Sequence, residues 1–228
     1  MTTSISWLGH AAFLINTGGM QILVDPFLKR NPAASISADD VQADFILITH
    51  GHGDHIGDTV SIAKRTDAVV ISTAEICDWL EPKGIKVHSQ HLGGGFHHPF
   101  GYLKLTFALH GSTLPDGSCG GNPAGLLLTL KENGKKVYLA GDTGLFGDMR
   151  LIGEEGIDLA ALPIGDNYTM GPADALRAVK LIQPKVVIPI HYNTFPLLKQ
   201  DAQAWAKEVE AQTETKTVVL SPGDSINI

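Results

Sequence analysis

Residues 50 to 55 read His50-Gly51-His52-Gly53-Asp54-His55, three imidazoles and a carboxylate within six positions. Neutral imidazole and carboxylate are the ligands that divalent transition metals take. So dense a group is too crowded for one tetrahedral ion and points to two ions side by side. Two divalent ions about 3.5–4 Å apart can share one water, lower its pKa toward neutrality and clamp the attacking and leaving oxygens of a displacement. The chemistry indicated is metal-assisted hydrolysis. The bland alternative is a polar turn of solvated histidines, and the matching single ligands later in the chain argue against it.

Elements that end abruptly must position these groups. The run Phe45-Ile46-Leu47-Ile48-Thr49 before the cluster is apolar and rich in β-branched residues, so it reads as a buried strand stopped by glycines. On an extended stretch His50 and His52 point the same way, because side chains repeat every second residue. Gly51 and Gly53 let the backbone turn and bring Asp54 and His55 round from the other side. Three further candidates also close apolar runs: His110 after residues 103–109, Asp142 after 137–140 and His191 after 186–190. Taken singly, each reads more readily as a cap or turn residue. Together they deliver metal-type ligands from four strand ends, which is how a shared site at one sheet edge is assembled.

The order of these residues resembles the metallo-β-lactamase superfamily, over nearly the whole chain. The signature His-x-His-x-Asp-His is matched by His50, His52, Asp54 and His55, and the later ligands by His110, Asp142 and His191. The resemblance implies that His50, His52 and His110 hold one ion, that Asp54, His55 and His191 hold the other, and that Asp142 bridges them. The segments Trp7-Leu8-Gly9-His10-Ala11-Ala12-Phe13 and Leu23-Val24-Asp25-Pro26-Phe27 look like one branch of small metal-dependent hydrolases. That branch lies near the ascorbate-6-phosphate lactonases and the N-acyl-phosphatidylethanolamine phospholipase D group.

At 228 residues with 43% hydrophobic content, the chain can bury one substantial core, so residues 1–228 are expected to form a single domain. Strand-like and helix-like runs alternate, with Gly18-Gly19 and Asn133-Gly134 as hairpin turns. A helix is expected over 56–65, another over 173–182 behind Pro172 at its first position, and a third over 201–212. Both halves run from strands to a ligand loop and a helix, a hint of internal duplication. The fold class expected is α/β, an αββα four-layer sandwich of two mixed sheets with helices outside.

The formal charge of −7 argues against a general nucleic-acid binder, which would carry a basic stripe. Cys77 and Cys119 form neither a metal motif nor a disulfide framework. No signal-peptide layout opens the chain and no apolar run is long enough to span a bilayer, so a cytoplasmic location without membrane contact is expected.

Around the ligands, Asp25, Thr49 and Thr143 are candidates to fix imidazole tautomers from behind. His10 ends a strand-like run after Gly9; in the branch it resembles, the equivalent His lies near the ions without binding them. It is read as a catalytic substrate or proton-transfer contact, against the alternative of a structural histidine. Asp54 has a second role available, orienting the nucleophilic water. Asp166, Asn167 and Tyr168 join a buried strand to the Pro172 helix and are candidates to line the substrate pocket. His97-His98 sit in a Gly-rich stretch read as a mobile loop and are taken as a solvated pair; His88 and His91 are read as strand-edge residues.

The expected protein is thus a binuclear hydrolase using a metal-bound hydroxide on a small anionic ester, lactone or phosphoester. Its cofactors would be two divalent ions, zinc first, with manganese, iron, cobalt or nickel compatible with the donor set. Its partner would be a small-molecule substrate, with no nucleic acid or membrane and with homo-oligomerisation left open. The alternatives are a phosphodiesterase or nuclease, whose known relatives carry added basic arms or domains, and a non-hydrolytic diiron redox or metal-sensing protein. Turnover with a redox-inactive metal separates these.

Overall fold

A computed structural model describes residues 2–228. In chain order the first strands are β1 (Ser4–Gly9), β2 (Ala12–Thr17), β3 (Met20–Val24), β4 (Phe45–Leu47), β5 (Val69–Thr73) and β6 (Val87–Gln90). There follow β7 (Gly95–His98), β8 (Gly101–Phe107), β9 (Ala124–Leu130), β10 (Lys136–Leu139), β11 (Leu159–Pro163), β12 (Val186–Ile190) and β13 (Lys216–Thr217). The last strand, β14 (Ser225–Asn227), returns to pair with β1. The first sheet has the order β14-β1-β2-β3-β4-β5-β6 and the second β13-β12-β11-β10-β9-β8-β7.

The two sheets repeat one pairing pattern. In the first, β14, β1, β2 and β3 are antiparallel neighbours and β3 through β6 run parallel. In the second, β7 through β10 are antiparallel and β10 through β13 parallel. Asp25 follows the third strand of the first pattern, and Asp142 lies just beyond the corresponding strand of the second. His10 and His110 follow β1 and β8 in the same corresponding way, His110 three residues past its strand. The duplication hinted at by the sequence is visible in this register.

Period-two alternation divides the apolar residues between faces. Ile22, Val24, Leu47 and Ile71 pack with Leu103, Leu105, Leu126 and Leu128 in the core between the sheets. Their neighbours Leu23, Ile46, Ile48 and Val70 pack on the outer face with Ile62 and Ala63 of α2 (Thr59–Thr66) and Ile76 and Leu80 of α3 (Ala74–Leu80). Over the second sheet lie α4 (Met149–Gly153), α5 (Pro172–Ile182) and α6 (Ala202–Gln212). Ala175, Ala178, Val179 and Ile182 form the buried stripe of α5, spaced as one helical face requires. Two mixed sheets with helices outside make the α/β sandwich read from the sequence. Among the described residues no helix is long and apolar enough to cross a membrane.

Two local readings need correction. The helix expected over 56–65 is broken: α1 (Gly53–Ile56) already contains Asp54 and His55, and Gly57 separates it from α2. Gly57 has φ +39°, and a Cβ there would stand 2.4 Å from the Pro26 carbonyl oxygen, so the chain needs glycine to turn against that loop. The Gly-rich stretch around His97-His98 is not a free loop, because β7 pairs residue by residue with β8. His97 is exposed, whereas His98 is buried and its Nε2–H donates to Gln90 Oε1 at 2.9 Å.

Candidate metal centre

Strand ends from both sheets meet at one edge. His50 lies three residues beyond β4, Asp142 three beyond β10, His191 immediately after β12 and His10 immediately after β1. His10, Asp25 and His191 all hold left-handed backbone, φ +57°, +41° and +55°. This region is unfavourable for non-glycine residues by about 1–3 kcal/mol each and clusters at functional sites. The surrounding hydrogen bonds fix it: the His191 N–H donates to the His10 carbonyl at 3.0 Å, and Trp7 Nε1–H donates to the same oxygen at 3.0 Å. Gly141, φ +59°, lets the Asp142 segment press against Thr49; a Cβ there would lie 2.9 Å from the Thr49 side chain.

The seven residues of the sequence motif converge. Nitrogens of His50, His52 and His110 lie within 4.8 Å of one another, as do donor atoms of His10, Asp54, His55 and His191, and those of His50, His55 and Asp142. Within the first group, His52 Nδ1 stands 3.0 Å from His50 Nε2 and 3.2 Å from His110 Nε2. Asp142 reaches both groups: its Oδ2 is 3.1 Å from His191 Nε2 and 3.5 Å from His110 Nε2, and its Oδ1 is 3.2 Å from His55 Nε2. Asp54 Oδ2 is 4.0 Å from His191 Nε2.

The donor set fits divalent metal. Nitrogens bonded at about 2.0–2.1 Å to one ion are spaced by roughly 2.9–3.3 Å at right-angled to tetrahedral geometry, the spacing of this cluster. Four buried polar atoms here, His55 Nε2, Asp142 Oδ1 and both ring nitrogens of His191, have no hydrogen-bond partner among the described residues. An orphaned buried polar atom costs about 1–3 kcal/mol, so a group that satisfies several at once is called for.

Behind the ligands, Asp25 is buried and accepts three hydrogen bonds. Its Oδ1 takes the Thr49 N–H at 2.9 Å, and its Oδ2 takes Thr49 Oγ1–H at 2.6 Å and His55 Nδ1–H at 2.8 Å. Since the Thr49 proton points to Asp25, Thr49 Oγ1 accepts His50 Nδ1–H at 3.0 Å. Both imidazoles therefore keep a proton on Nδ1 and aim Nε2 at the cluster. Thr143, read alongside Asp25 and Thr49, hydrogen-bonds to no imidazole among the described residues. Its Oγ1 accepts the Leu109 N–H at 2.9 Å and donates to the Gly144 carbonyl at 2.8 Å, which steadies the backbone beside His110.

The charges follow from burial and these partners. Burial holds His50 well below the ordinary histidine value and also lowers His52 and His110. His55 goes the other way, because burial is outweighed by the Asp142 and Asp25 carboxylates on either side of it. Burial alone would raise Asp142, but His191 and His55 hold it well below the usual carboxylate range. Asp54 is likewise held low, burial being outweighed by the His10 hydrogen bond and by His55.

His10 differs from its expected role as a substrate contact. It is fully buried, with Nε2 3.2 Å from Asp54 Oδ2 and Nδ1 2.9 Å from Thr194 Oγ1. Burial lowers it to about 4, so it is neutral and donates Nε2–H to the Asp54 carboxylate. His97, His98, His88 and His91 stand apart from the cluster, and the expected solvated pair is not one, because His98 is buried.

A cavity of about 530 Å³ opens over the site. His52, Asp54, His110, Asp142 and His191 form one side, and Tyr168, Phe195 and the 3-10 turn Pro196–Leu198 form the other. Of the three expected pocket residues, Tyr168 lines the cavity. Asp166 and Asn167 do not; they are exposed on the turn before Tyr168, where Asp166 Oδ1 accepts the Asn167 N–H at 2.9 Å. Sequence reasoning missed Thr194 and the apolar wall. The available signal was the run Phe195-Pro196-Leu197-Leu198 directly after a ligand strand, without helical or strand periodicity to bury it.

Known proteins resemble this chain over nearly its whole length. The family described as beta-lactamase superfamily domain matches residues 14–192. A UPF0173 metal-dependent hydrolase of Thermus thermophilus is 48% identical over 224 residues, 98% of each chain. A protein of the same description from Bacillus cytotoxicus is 49% identical over 230 residues, 98% of this chain and 99% of its own. Among solved structures, Igni18, a metallo hydrolase of Ignicoccus hospitalis, superposes with a TM-score of 0.91 at 37% identity, covering 100% of this chain and 99% of its own.

Proposed function

The chain belongs to the beta-lactamase superfamily, and on that footing we propose that it is a hydrolase cleaving an ester, lactone or phosphoester bond at two divalent ions. The observation that carries this reading is the sharing of Asp142 between two groups of ligands on one side of an open cavity. His50, His52 and His110 would hold one ion and Asp54, His55 and His191 the other, with Asp142 reaching both. Zinc suits the imidazole-rich set first, and manganese, iron, cobalt and nickel are compatible with it. Bound there, two ions would supply a water of lowered pKa and positive charge for the attacking and leaving oxygens.

The protein's own groups do the positioning. Asp25 holds His50, through Thr49, and His55 directly, each by its Nδ1–H, so that both Nε2 atoms face the cluster. His10 donates to Asp54 Oδ2 and is itself fixed by Thr194, so it acts as a positioning residue behind the carboxylate. Asp54, ionised and one-third exposed to the cavity, accepts a hydrogen bond from the attacking water and orients it toward the scissile carbonyl or phosphoryl. Elemental analysis of untagged protein, followed by a screen of esters, lactones and phosphodiesters, tests the proposal. About two ions per chain with ester or lactone turnover is the expected result; one ion remote from Asp142, or turnover independent of metal, would overturn it.

A further inference from the structure

The cavity has two unlike sides. Opposite the ligands stand Tyr168, Phe195 and Leu197, exposed by 56%, 37% and 66%, while their neighbour Leu198 is fully buried. Exposed apolar side chains beside a reaction centre mark a binding surface more often than chance packing. The wall is also held in place. The Asn193 N–H donates to the Leu198 carbonyl at 2.8 Å, and the Gln200 N–H donates to Asn193 Oδ1 at 2.9 Å, closing the loop on itself. Gln200 Nε2–H then donates to the Gly165 carbonyl at 3.2 Å, tying this loop to the turn that carries Tyr168. Leu198 anchors the loop in the core, so Phe195 and Leu197 stay at the mouth rather than collapsing inward.

Among the described residues no lysine or arginine lines the cavity. A carboxylate or phosphate on the far end of a substrate would be stripped of water against an apolar wall without a countercharge, an unfavourable burial. The chain's formal charge of −7 adds long-range repulsion of anions. The positive charge of the ligand cluster is occupied by the reacting group itself. The small anionic substrate expected from the cluster alone therefore does not match the rest of the cavity.

We infer that the substrate is uncharged outside its reacting ester or lactone group and carries an apolar acyl or alkyl chain that seats against Tyr168, Phe195 and Leu197. The inference rests on the hydrolase reading above and names its substrate class. Such a cavity volume lies within the range of about 300–1,000 Å³ that holds small ligands.

The test compares 4-nitrophenyl acetate, butanoate and hexanoate with the ω-carboxylate ester 4-nitrophenyl hydrogen adipate, on metal-loaded full-length protein. We expect kcat/KM to rise about two- to fourfold per added methylene, as partial to full burial of each would give. The adipate ester should run at least tenfold below the hexanoate. Leu197→Lys should flatten the chain-length dependence and raise the adipate relative to the hexanoate, with metal content unchanged. Independently of turnover, ligand-observed NMR on metal-free protein should show hexanamide binding more tightly than its ω-carboxylate analogue. Equal binding of the two amides, or an adipate ester as good as the hexanoate, would overturn the inference. If hexanamide binds preferentially but no ester or lactone is turned over, the apolar cavity stands and the hydrolase reading falls.

Discussion

Asp25 and His55 are joined by a 2.8 Å hydrogen bond from Nδ1 to Oδ2, both side chains buried, and the same oxygen receives the Thr49 hydroxyl that steadies His50. One carboxylate thus sets the orientation of an imidazole in each ligand group. Asp25→Asn puts an amide donor against one of those protons. Metal affinity should fall about 10–100-fold, the usual effect of losing such a supporting partner. Chelator competition measures it, and an unchanged midpoint with an unchanged far-UV spectrum would refute the role.

Asp142 is the residue both groups share, so Asp142→Ala should lower metal content and activity together, with turnover down at least about 100-fold if the metal supplies several kcal/mol of transition-state stabilisation. Elemental analysis and kinetics on the same preparation decide it. Two retained ions with full activity would end the bridging assignment.

His10 lies behind Asp54 rather than in the cavity. His10→Ala should keep metal stoichiometry and KM while reducing kcat by at least an order of magnitude, about 1.4 kcal/mol. His10→Gln, which can present a donor near the place of Nε2, should recover part of that loss. A variant that loses metal, or one with unaltered kcat, argues for a ligand or a purely structural histidine respectively.

Metal should also stabilise the fold, because it would satisfy the orphaned atoms of His55, Asp142 and His191. A ligand at about 1,000 times its Kd adds about 4 kcal/mol. For a chain of this length that corresponds to roughly 8–16 °C in Tm. Calorimetry before and after exhaustive chelation, then after zinc is restored, should show the fall and its recovery; an unchanged Tm would contradict the fit of the donor set.

Away from the centre, His98 is buried between Phe45 and Phe100, and burial, with His88 nearby, lowers it to about 4. The unfolded chain takes up this proton near the ordinary value of 6.5, before the folded chain does. The stabilisation from neutral His98 is therefore complete above about pH 6.5 and is lost as pH falls toward 4, with stability rising with pH between them. His98→Gln lacks that proton uptake, so its stability deficit should shrink between pH 7 and pH 5 in urea titrations. A deficit constant across that range would show that His98 does not titrate in this way.

Much of this centre was legible because its information is local. The apolar runs before His50, Asp142 and His191 report buried strands, since period and β-branching depend on near neighbours along the chain. Residue type then states the chemistry, and the glycines beside these ligands mark where the chain turns. Asp25 and Thr49 were legible as supporting groups for the same reason. Each ends a strand of the same parallel set.

What the sequence by itself determined is the identity and order of the clustered His and Asp residues, the two-sheet architecture and the strand ends that carry them. The tertiary structure decided which distant side chains share one space. His10 meets Thr194 across a separation of 184 residues and is buried behind Asp54, a relation no local pattern encodes. Phe195 and Leu197 became a cavity wall because Asn193 and Gln200 close their loop and Gln200 fastens it to Gly165. Tyr168 lines the cavity and Asp166 and Asn167 do not, on a turn where both hold left-handed backbone. Periodicity records whether a side chain is buried, whereas the neighbours it is buried among follow from sheet order and loop closure, which depend on the whole chain at once.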